Sequence, residues 1–268
     1  MRLRFSSQNI TQERICFSRE SLRALRLYKN HNITTITFFR FSGFGNRFFA
    51  FKEMGLRTFV REKITGRTFA KMLGTGGGNG FDTKPDFGTY SWLACWESKE
   101  AADNFFEKNS FFADYKQHSS ACLTIYLQPT LVHGVWDGKN PFTVSGIYDP
   151  AKPTAVLTRA TIKKSKIFNF WKYVPAASAS IEDYPEKLFS VGVGELPWVQ
   201  QATVSIWKTG AAMTDFAYKN PHHAVVVKKT RELDWYSEEL FARFNIADVQ
   251  GSDFFGDLNV KAFRKNIL

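Results

Sequence analysis

The feature of this sequence that most restricts its fold is an internal repeat. The stretch "CWESKEAADNFFEKNSFFADYK" (95–116) matches "IWKTGAAMTDFAYKNPHHAVVVK" (206–228), with Trp96 on Trp207 and Phe105 on Phe216, at an offset of 111 residues. Upstream, "FFRFSGFGNRFFAF" (38–51) matches "LTRATIKKSKIFNF" (157–170) at an offset of 119 residues. Two blocks in the same order, with one change of length between them, indicate a duplicated structural unit.

Each copy of the unit has the order strand, helix, connection, strand, helix, strand. Runs of β-branched and aromatic residues predict the strands, and Ser98 and Thr209 are suitable N-caps for the second helix of each copy. The predicted strands are 34–41, 88–96, 121–129 (ended by Pro129), 154–162, 202–207 and 239–246. This order is typical of the ferredoxin-like split βαβ motif. We therefore predict an α+β fold of two tandem ferredoxin-like repeats, packed sheet to sheet as a dimeric α/β-barrel-like unit.

The same pattern sets the predicted domain boundaries. The first repeat is expected over 32–130 and the second over 154–250, joined by a linker rich in Gly and Pro at 131–153. Residues 251–268 are expected to form a C-terminal tail. Residues 1–31 carry seven Arg and Lys side chains against two Glu and contain no apolar core of a secretory signal, so we expect a flexible basic arm there.

Composition narrows the class of protein. Aromatic residues make up 16% of the chain, which favours a folded protein, and no apolar run reaches the roughly 18 residues of a membrane span. Three widely spaced cysteines without a CxxC motif indicate neither a disulfide framework nor a zinc site. The net charge of +11 suits an anionic ligand or a lipid surface. We expect a cytoplasmic protein, peripheral to a membrane, with no nucleic-acid partner.

Several motifs that resemble functional sites are better explained by structure. The segment "GTGGGNGF" (74–81) lacks the GK[ST] ending of a phosphate loop and precedes a strand, so we interpret it, like "VGVGELPW" (191–198), as a glycine turn. Adjacent carboxylates such as Glu238 and Glu239 cannot share one cleft on a strand, and we expect them to be solvated. The sequence identifies no catalytic acid, base or nucleophile.

The adjacent histidines His222 and His223 are the strongest candidate site. Asn220 and Pro221 predict that a helix begins here, which places both histidines in its first turn. The face that carries His223 is the drier one, so His223 is expected to point inward. The aligned residues of the first copy are Phe111 and Phe112, as expected if one copy alone kept a ligand site. The alternative is an exposed pair of histidines at a helix start.

Many blocks of the chain, over about residues 34–250, resemble the spheroidene monooxygenase family of carotenoid-pathway proteins. They include "FFRFSGFGNRFFAFKEMG", "YSWLACW", "GVWDGKNPF", "LTRATIKKSKIFNFWKYVP" and "PHHAVVVKKTRELDWYSEELFARF". The family is similar to haem enzymes of the dimeric α/β-barrel type. Its single histidine in this region falls on His223, whereas His222 departs from the pattern, in which proline is usual.

The resemblance implies a haem b-dependent monooxygenase that inserts oxygen into the terminal region of an acyclic carotenoid and gives a 2-keto product. It implies His223 as the axial iron ligand, with His222 as the fallback. Arg159 and Lys172 are candidate partners for the haem propionates. Trp171, Phe168, Phe170 and Trp207 are candidates to line an apolar pocket, although such aromatics commonly serve as plain core.

The implied partners are a hydrophobic polyene substrate, an electron donor and a membrane surface, with a homo-oligomer also expected. Two alternatives stay open at this point. One is a protein that binds haem or a hydrophobic ligand without oxygenase turnover. The other is a haem enzyme of different chemistry, such as a dehydratase or a peroxidase, because fold does not determine function.

Overall fold

The computed structural model describes residues 32–56, 58–77, 84–174, 181, 184–220, 228–230, 232–255 and 258–267. The basic arm predicted over 1–31 lies outside these residues. So do His222, His223 and the end of the glycine-rich segment, residues 78–83.

Eight antiparallel strands in the described chain form one closed barrel. The strands are β1 (Ile33–Arg40), β2 (Arg67–Gly76), β3 (Pro85–Trp96), β4 (Ala121–Gly134), β5 (Thr154–Ile162), β6 (Lys187–Leu196), β7 (Gln200–Trp207) and β8 (Tyr236–Gly251). Their order around the barrel is β1-β3-β2-β6-β7-β5-β8-β4. Each half of the chain therefore contributes four neighbouring strands in the same relative order.

The closed barrel confirms the predicted α+β, barrel-like architecture. The two halves meet edge to edge, however, and not as two separate sheets packed face to face. At one junction β4 pairs with β8 along most of its length, from Leu123↔Gly251 to Gly134↔Leu240. At the other, β2 and β6 pair only through Gly74↔Gly194 and Thr75↔Val193. Closure satisfies strand edges that two separate sheets would leave unpaired.

Helices in the described residues cover the outside of the barrel. They are α1 (Phe44–Leu56), α2 (Thr58–Arg61), α3 (Lys99–Lys108), α4 (Ser110–His118), α5 (Ile167–Trp171), α6 (Gly210–Lys219) and α7 (Val260–Ile267). The predicted caps are confirmed, since Ser98 Oγ accepts from the Ala101 N–H at 3.2 Å and Thr209 Oγ1 from the Ala212 N–H at 3.1 Å. These bonds satisfy N–H groups that a helix start leaves free.

Strand alternation builds the barrel interior. In β8 the buried residues Leu240, Ala242, Phe244 and Ile246 alternate with partly exposed ones, as the sequence pattern predicts. Trp136, in the connection between β4 and β5, is fully buried in the same core. Phe254, Phe255 and α7, all from the region predicted as a tail, also pack against the core, where Phe255 lies edge to face with Phe38 at 4.9 Å.

The sequence pattern misses β2 and β6, whose last residues fall in the stretches 74–81 and 191–198 interpreted as glycine turns. The second stretch does lead into a turn, at 197–199. At Gly194 an added Cβ would lie 2.5 Å from the carbonyl oxygen of Gln200, which begins β7 across the hairpin, so the close approach of the two backbones requires glycine there. The prediction that Pro129 ends its strand is also wrong. The β4–β8 ladder has an irregularity between Pro129 and Leu131 and then continues to Gly134.

The outer faces of the two halves are packed differently. In the first half, aromatic rings fill the space between sheet and helices, in a buried cluster that includes Phe39, Phe59, Trp92, Phe105, Phe112 and Tyr115. Among the described residues of the second half, the corresponding buried cluster has four members, Val156, Trp207, Met213 and Phe216. The described residues of the second half therefore fill this face less completely than those of the first half.

Candidate active site

A cavity of about 260 Å³ lies on the outer face of the second half, between the sheet and helices α5 and α6. We call it the outer-face cavity. Strands β5, β7 and β8 provide its floor, and aromatic side chains provide most of its walls. Its principal lining residues are Val156, Thr158, Phe170, Trp171, Tyr173, Thr203, Ser205, Trp207, Met213, Phe216, Ala217, Trp235, Tyr236 and Phe241.

Two threonines explain why the cavity is open. Thr158 pairs with Thr203 across β5 and β7, and both side chains line the cavity. On the outer face of the first half, Phe39 and Trp92 occupy the space, with ring centroids 4.7 Å apart and almost no exposure. Because small polar side chains stand in the second half where large rings stand in the first, the outer face of the second half has unfilled volume at this place.

The aromatic walls are held by their own contacts. The fully buried Trp235 donates from Nε1 to Asn169 Oδ1 at 2.7 Å and packs against Phe170 at 5.5 Å. On the opposite wall, the Trp207 and Phe216 rings are 5.0 Å apart. These contacts fix the rings in place, so the cavity is preformed rather than created by the ligand.

Few polar groups reach the cavity. Burial, and then the Glu239 carboxylate, raise the pKa of the Tyr236 phenol, so this hydroxyl is neutral at physiological pH and can donate a hydrogen bond. Lys229 Nζ lies 3.2 Å from the Tyr173 hydroxyl and 4.4 Å from the centre of its ring. The charged Lys229 side chain therefore lies beside the largely apolar outer-face cavity.

A second depression, the seam groove, adjoins the outer-face cavity. It has a volume of about 300 Å³ and lies over the short β2–β6 junction. Trp171 and Gln201 line both spaces, and Trp171 Nε1 donates to the Trp198 carbonyl oxygen at 3.1 Å. The other lining residues are Phe51, Met54, Gly74, Thr75, Gly76, Pro85, Asp86, Phe87, Tyr90, Val193, Gly194, Glu195, Pro197 and Trp198.

His222 and His223 are outside the described residues, but the chain on both sides of them reaches the outer-face cavity. Before them, α6 contributes Met213, Phe216 and Ala217 to the lining. After them, Lys229 contacts the lining residue Tyr173. In the first half, Phe111 stacks on Trp92 at 5.4 Å and Phe112 is buried, so the residues aligned with the histidines belong to the packed core there.

The predicted propionate partners are separated. Lys172 is exposed and follows α5, between the lining residues Trp171 and Tyr173. Arg159 points into the barrel, on the face of β5 opposite to the outer-face cavity, and its side chain is only 2% exposed. It forms an ion pair with Glu238.

Three of the four aromatic residues predicted to line a pocket do so. Phe170, Trp171 and Trp207 line the outer-face cavity. Phe168 does not, and it is 88% exposed. At 3.6 residues per turn, Phe168 and Phe170 lie about 200° apart around the axis of α5, so their rings face different surfaces.

Glu238 is a site that sequence reasoning missed. The expectation of a solvated carboxylate is wrong, because Glu238 pairs with Arg159 and accepts from the backbone N–H groups of Asp137 at 3.0 Å and Gly138 at 2.8 Å. Burial alone would raise the pKa of Glu238, but these hydrogen bonds and the Arg159 charge lower it. Its partners are some 80 to 100 residues away in sequence, so no local signal reveals them.

The described part of the chain lacks both a cluster of metal ligands and a membrane-spanning helix. It contains no group of three or more His, Cys, Asp or Glu side chains that could hold a metal ion. None of its helices has both the length and the apolar character that a membrane span requires.

Comparison with known proteins gives close sequence relatives and more distant structural ones. The chain is 36% identical over 218 residues to the spheroidene monooxygenase of Cereibacter sphaeroides, an alignment that covers 81% of this chain and 67% of that protein. It is 33% identical over 184 residues to the spheroidene monooxygenase of Rhodobacter capsulatus, covering 68% and 76%. No protein-family profile matches it. Among solved structures, an aldoxime dehydratase superposes with a TM-score of 0.54 at 9% identity, covering 81% of this chain and 82% of that one, a likeness of fold alone.

Proposed function

The chain belongs to the spheroidene monooxygenase family and is a monooxygenase, and from that premise we propose that it oxidises an acyclic carotenoid with haem b as its cofactor. The proposed product carries a 2-keto group in the terminal region of the polyene. The observation that supports this function is the outer-face cavity, which is apolar and preformed and has the chain that carries His223 attached at its edge on both sides.

The chemistry of the described lining residues suits haem as a cofactor. A flat apolar macrocycle needs a slot with aromatic and aliphatic walls, and the space that Phe39 and Trp92 fill in the first half is open in the second. Exposed Lys172 stands between the lining residues Trp171 and Tyr173 in the sequence, and Lys229 contacts Tyr173, so both suit carboxylate groups at the edge of such a ligand. Haem, when bound, supplies O₂ binding and activation.

We assign the axial iron ligand to His223, with His222 as the fallback, and the propionate contacts to Lys172 and Lys229. Arg159 was the second cation expected from the sequence. Its position inside the barrel, paired with Glu238, favours a structural role for it instead.

The protein's own part in the reaction is to bind, orient and exclude water. Each insertion of one oxygen atom of O₂ into a C–H bond reduces the other atom to water and requires two electrons and two protons from a donor. Conversion of a CH₂ group into the proposed keto group takes two such insertions at the same carbon, and the geminal diol that results loses water to give the C=O group. The walls formed by Trp207, Phe216 and Trp235 keep the reacting carbon in an apolar environment. Tyr236 lines the cavity, and its neutral phenol is the kind of group that can donate a hydrogen bond to a ligand oxygen atom.

We further propose a peripheral contact with membranes, where carotenoids dissolve. The rings of Phe44 and Phe48 on α1 are exposed and stack at 6.3 Å, and Phe168 on α5 is also exposed. Exposed Lys164 and Lys172 stand four residues before and after Phe168 in the sequence. Aromatic rings with neighbouring cations suit the headgroup region of an anionic bilayer.

We also propose that the two halves are ferredoxin-like repeats, over 32–130 and 154–250, with the first extended by β4 to Gly134 and the rest of 131–153 connecting them. The same relative order of strands in the two halves, and the N-capped helices α3 and α6 at matching places, support this division.

The direct test is haem binding followed by turnover. Protein expressed with ample haem should show a Soret band that His223→Ala abolishes and His222→Ala retains. The wild type, given O₂, a reductant and spheroidene, should form a keto product with a red-shifted absorption spectrum. A wild type without bound haem would refute the cofactor assignment, and one with haem that converts no carotenoid would refute the oxygenase function.

A further inference from the structure

The outer-face cavity is too small for the whole of the proposed substrate. Its volume of about 260 Å³ is at the lower limit for a drug-sized ligand, about 300 Å³. An acyclic carotenoid is a rod many times longer than it is wide, and the cofactor would share the same space. Most of the polyene must therefore lie outside this cavity.

The seam groove continues from the cavity in one direction. Trp171 and Gln201 line both spaces, so the groove begins where the outer-face cavity ends, and it is the neighbouring space that can take the rest of a long ligand. The bond from Trp171 Nε1 to the Trp198 carbonyl holds the indole at this junction. The groove adds about 300 Å³ to the available volume.

The lining of the groove suits a conjugated hydrocarbon. Phe51 and Phe87 lie edge to face at 5.6 Å, and Tyr90, Trp171 and Trp198 complete an aromatic surface on which a polyene can stack. Both carboxylates of the lining are occupied by protein partners. Asp86 accepts from the Gly88 N–H at 2.7 Å, and Glu195 accepts from Trp136 Nε1 at 2.7 Å and from Lys71 Nζ at 2.6 Å.

The glycines of the β2–β6 junction give the groove its depth. At Gly74, which lines the groove, an added Cβ would meet only the Gly194 carbonyl oxygen, at 4.0 Å. A larger side chain at residue 74 can therefore be accommodated by the backbone and would occupy the groove itself.

We propose that the seam groove is the binding subsite for the polyene chain of the substrate, whose reacting end lies in the outer-face cavity. The inference rests on the proposed function for the identity of the ligand. It assigns recognition of substrate length to the junction between the two halves of the barrel, away from the cofactor.

Filling the groove tests the proposal. Gly74→Leu is compared with Gly55→Leu, the same change at an exposed position of α1 with no atom within 4 Å of the added Cβ. The probe is spheroidene in detergent micelles, followed by the circular dichroism that the protein induces in the polyene absorption band. We expect Gly74→Leu to weaken this binding about tenfold, since it displaces one to two buried methylene equivalents, whereas Gly55→Leu binds as the wild type does. The Soret band should be unchanged in both variants.

A second pair of variants covers the case in which Gly74→Leu fails to fold. Phe87→Ala removes a groove ring that is 51% exposed, and Val144→Ala shortens a side chain of similar exposure that does not line the groove. Weaker binding of spheroidene by Phe87→Ala alone supports the subsite.

Equal binding by all variants and the wild type would overturn the subsite, as would the absence of any induced signal in the wild type. The subsite and the oxygenase function can be refuted independently of each other. A groove-dependent signal without product supports the subsite and refutes the oxygenase function, whereas turnover that is insensitive to Gly74→Leu and Phe87→Ala supports the oxygenase and refutes the subsite.

Discussion

Removing the charge of Glu238 should destabilise the barrel in a pH-dependent way. The Arg159 side chain is 2% exposed and the Glu238 side chain 19% exposed, so Glu238→Gln leaves a buried guanidinium without its main counter-charge. Breaking a fully buried pair costs about 3–5 kcal/mol. Because Glu238 is partly exposed and Asp137 Oδ1 lies 3.7 Å from Arg159 Nη2, we expect about 2–3 kcal/mol here.

The effect of pH follows from the direction of the pKa shift. The folded protein lowers the pKa of Glu238 below its unfolded value of about 4.3. The stabilisation is therefore fully present above that unfolded pKa and is lost as the pH falls through the lower, folded one. At pH 7 the variant should show the whole deficit, and at pH values below the folded pKa it should approach the wild type.

The assay is urea unfolding at a series of pH values, with Glu239→Gln as the matched control. Glu239 is the exposed neighbour of Glu238 on β8, so the same chemical change there should alter the free energy of unfolding by less than about 0.5 kcal/mol. A deficit for Glu238→Gln that equals that of Glu239→Gln, or that persists undiminished at low pH, would refute the assigned ion pair.

Three further predictions concern the cavity, the core and the thiols. Thr203→Trp should fill the outer-face cavity and abolish the Soret band of haem-supplied protein while the far-UV circular dichroism stays native, and a retained Soret band would place the cofactor elsewhere. Trp136→Ala should lower the free energy of unfolding by about 3–5 kcal/mol, because the ring is fully buried, and a loss below about 1 kcal/mol in urea titration would contradict its core role. Burial raises the pKa of Cys95 and that of Cys122 each to about 12, so in a Cys16→Ser background a thiol reagent at pH 8 should label neither until denaturant is added, and prompt labelling of the native protein would contradict their burial.

Local chemistry explains which parts of the fold could be predicted. The caps at Ser98 and Thr209 and the alternation in β8 depend on residues close together in sequence, and all three predictions are confirmed. The strands β2 and β6 were hidden because their glycines normally indicate turns. At Gly194 the glycine is required because the backbone of β7 comes too close for a Cβ, and the sequence does not reveal this close approach.

The same distinction between local and long-range features applies to the candidate site. The repeat and the family resemblance direct attention to the second half, and Phe170, Trp171 and Trp207 do line its cavity. The sequence did not reveal on which face of its strand a charged residue lies. Arg159 on β5 faces the barrel interior and Thr158, its neighbour, faces the cavity, because adjacent strand residues point to opposite faces.

The sequence by itself determined the duplicated pattern of strands and helices, the capped helix of each half and the family to which the chain belongs, since these depend on local spacing and residue type. The tertiary structure decided that the two halves close into one barrel, that the cavity lies on one outer face, and that Glu238 pairs with Arg159. These features arise from residues that are far apart in the chain, and their contacts exist only after strand pairing has set which side chains share a face.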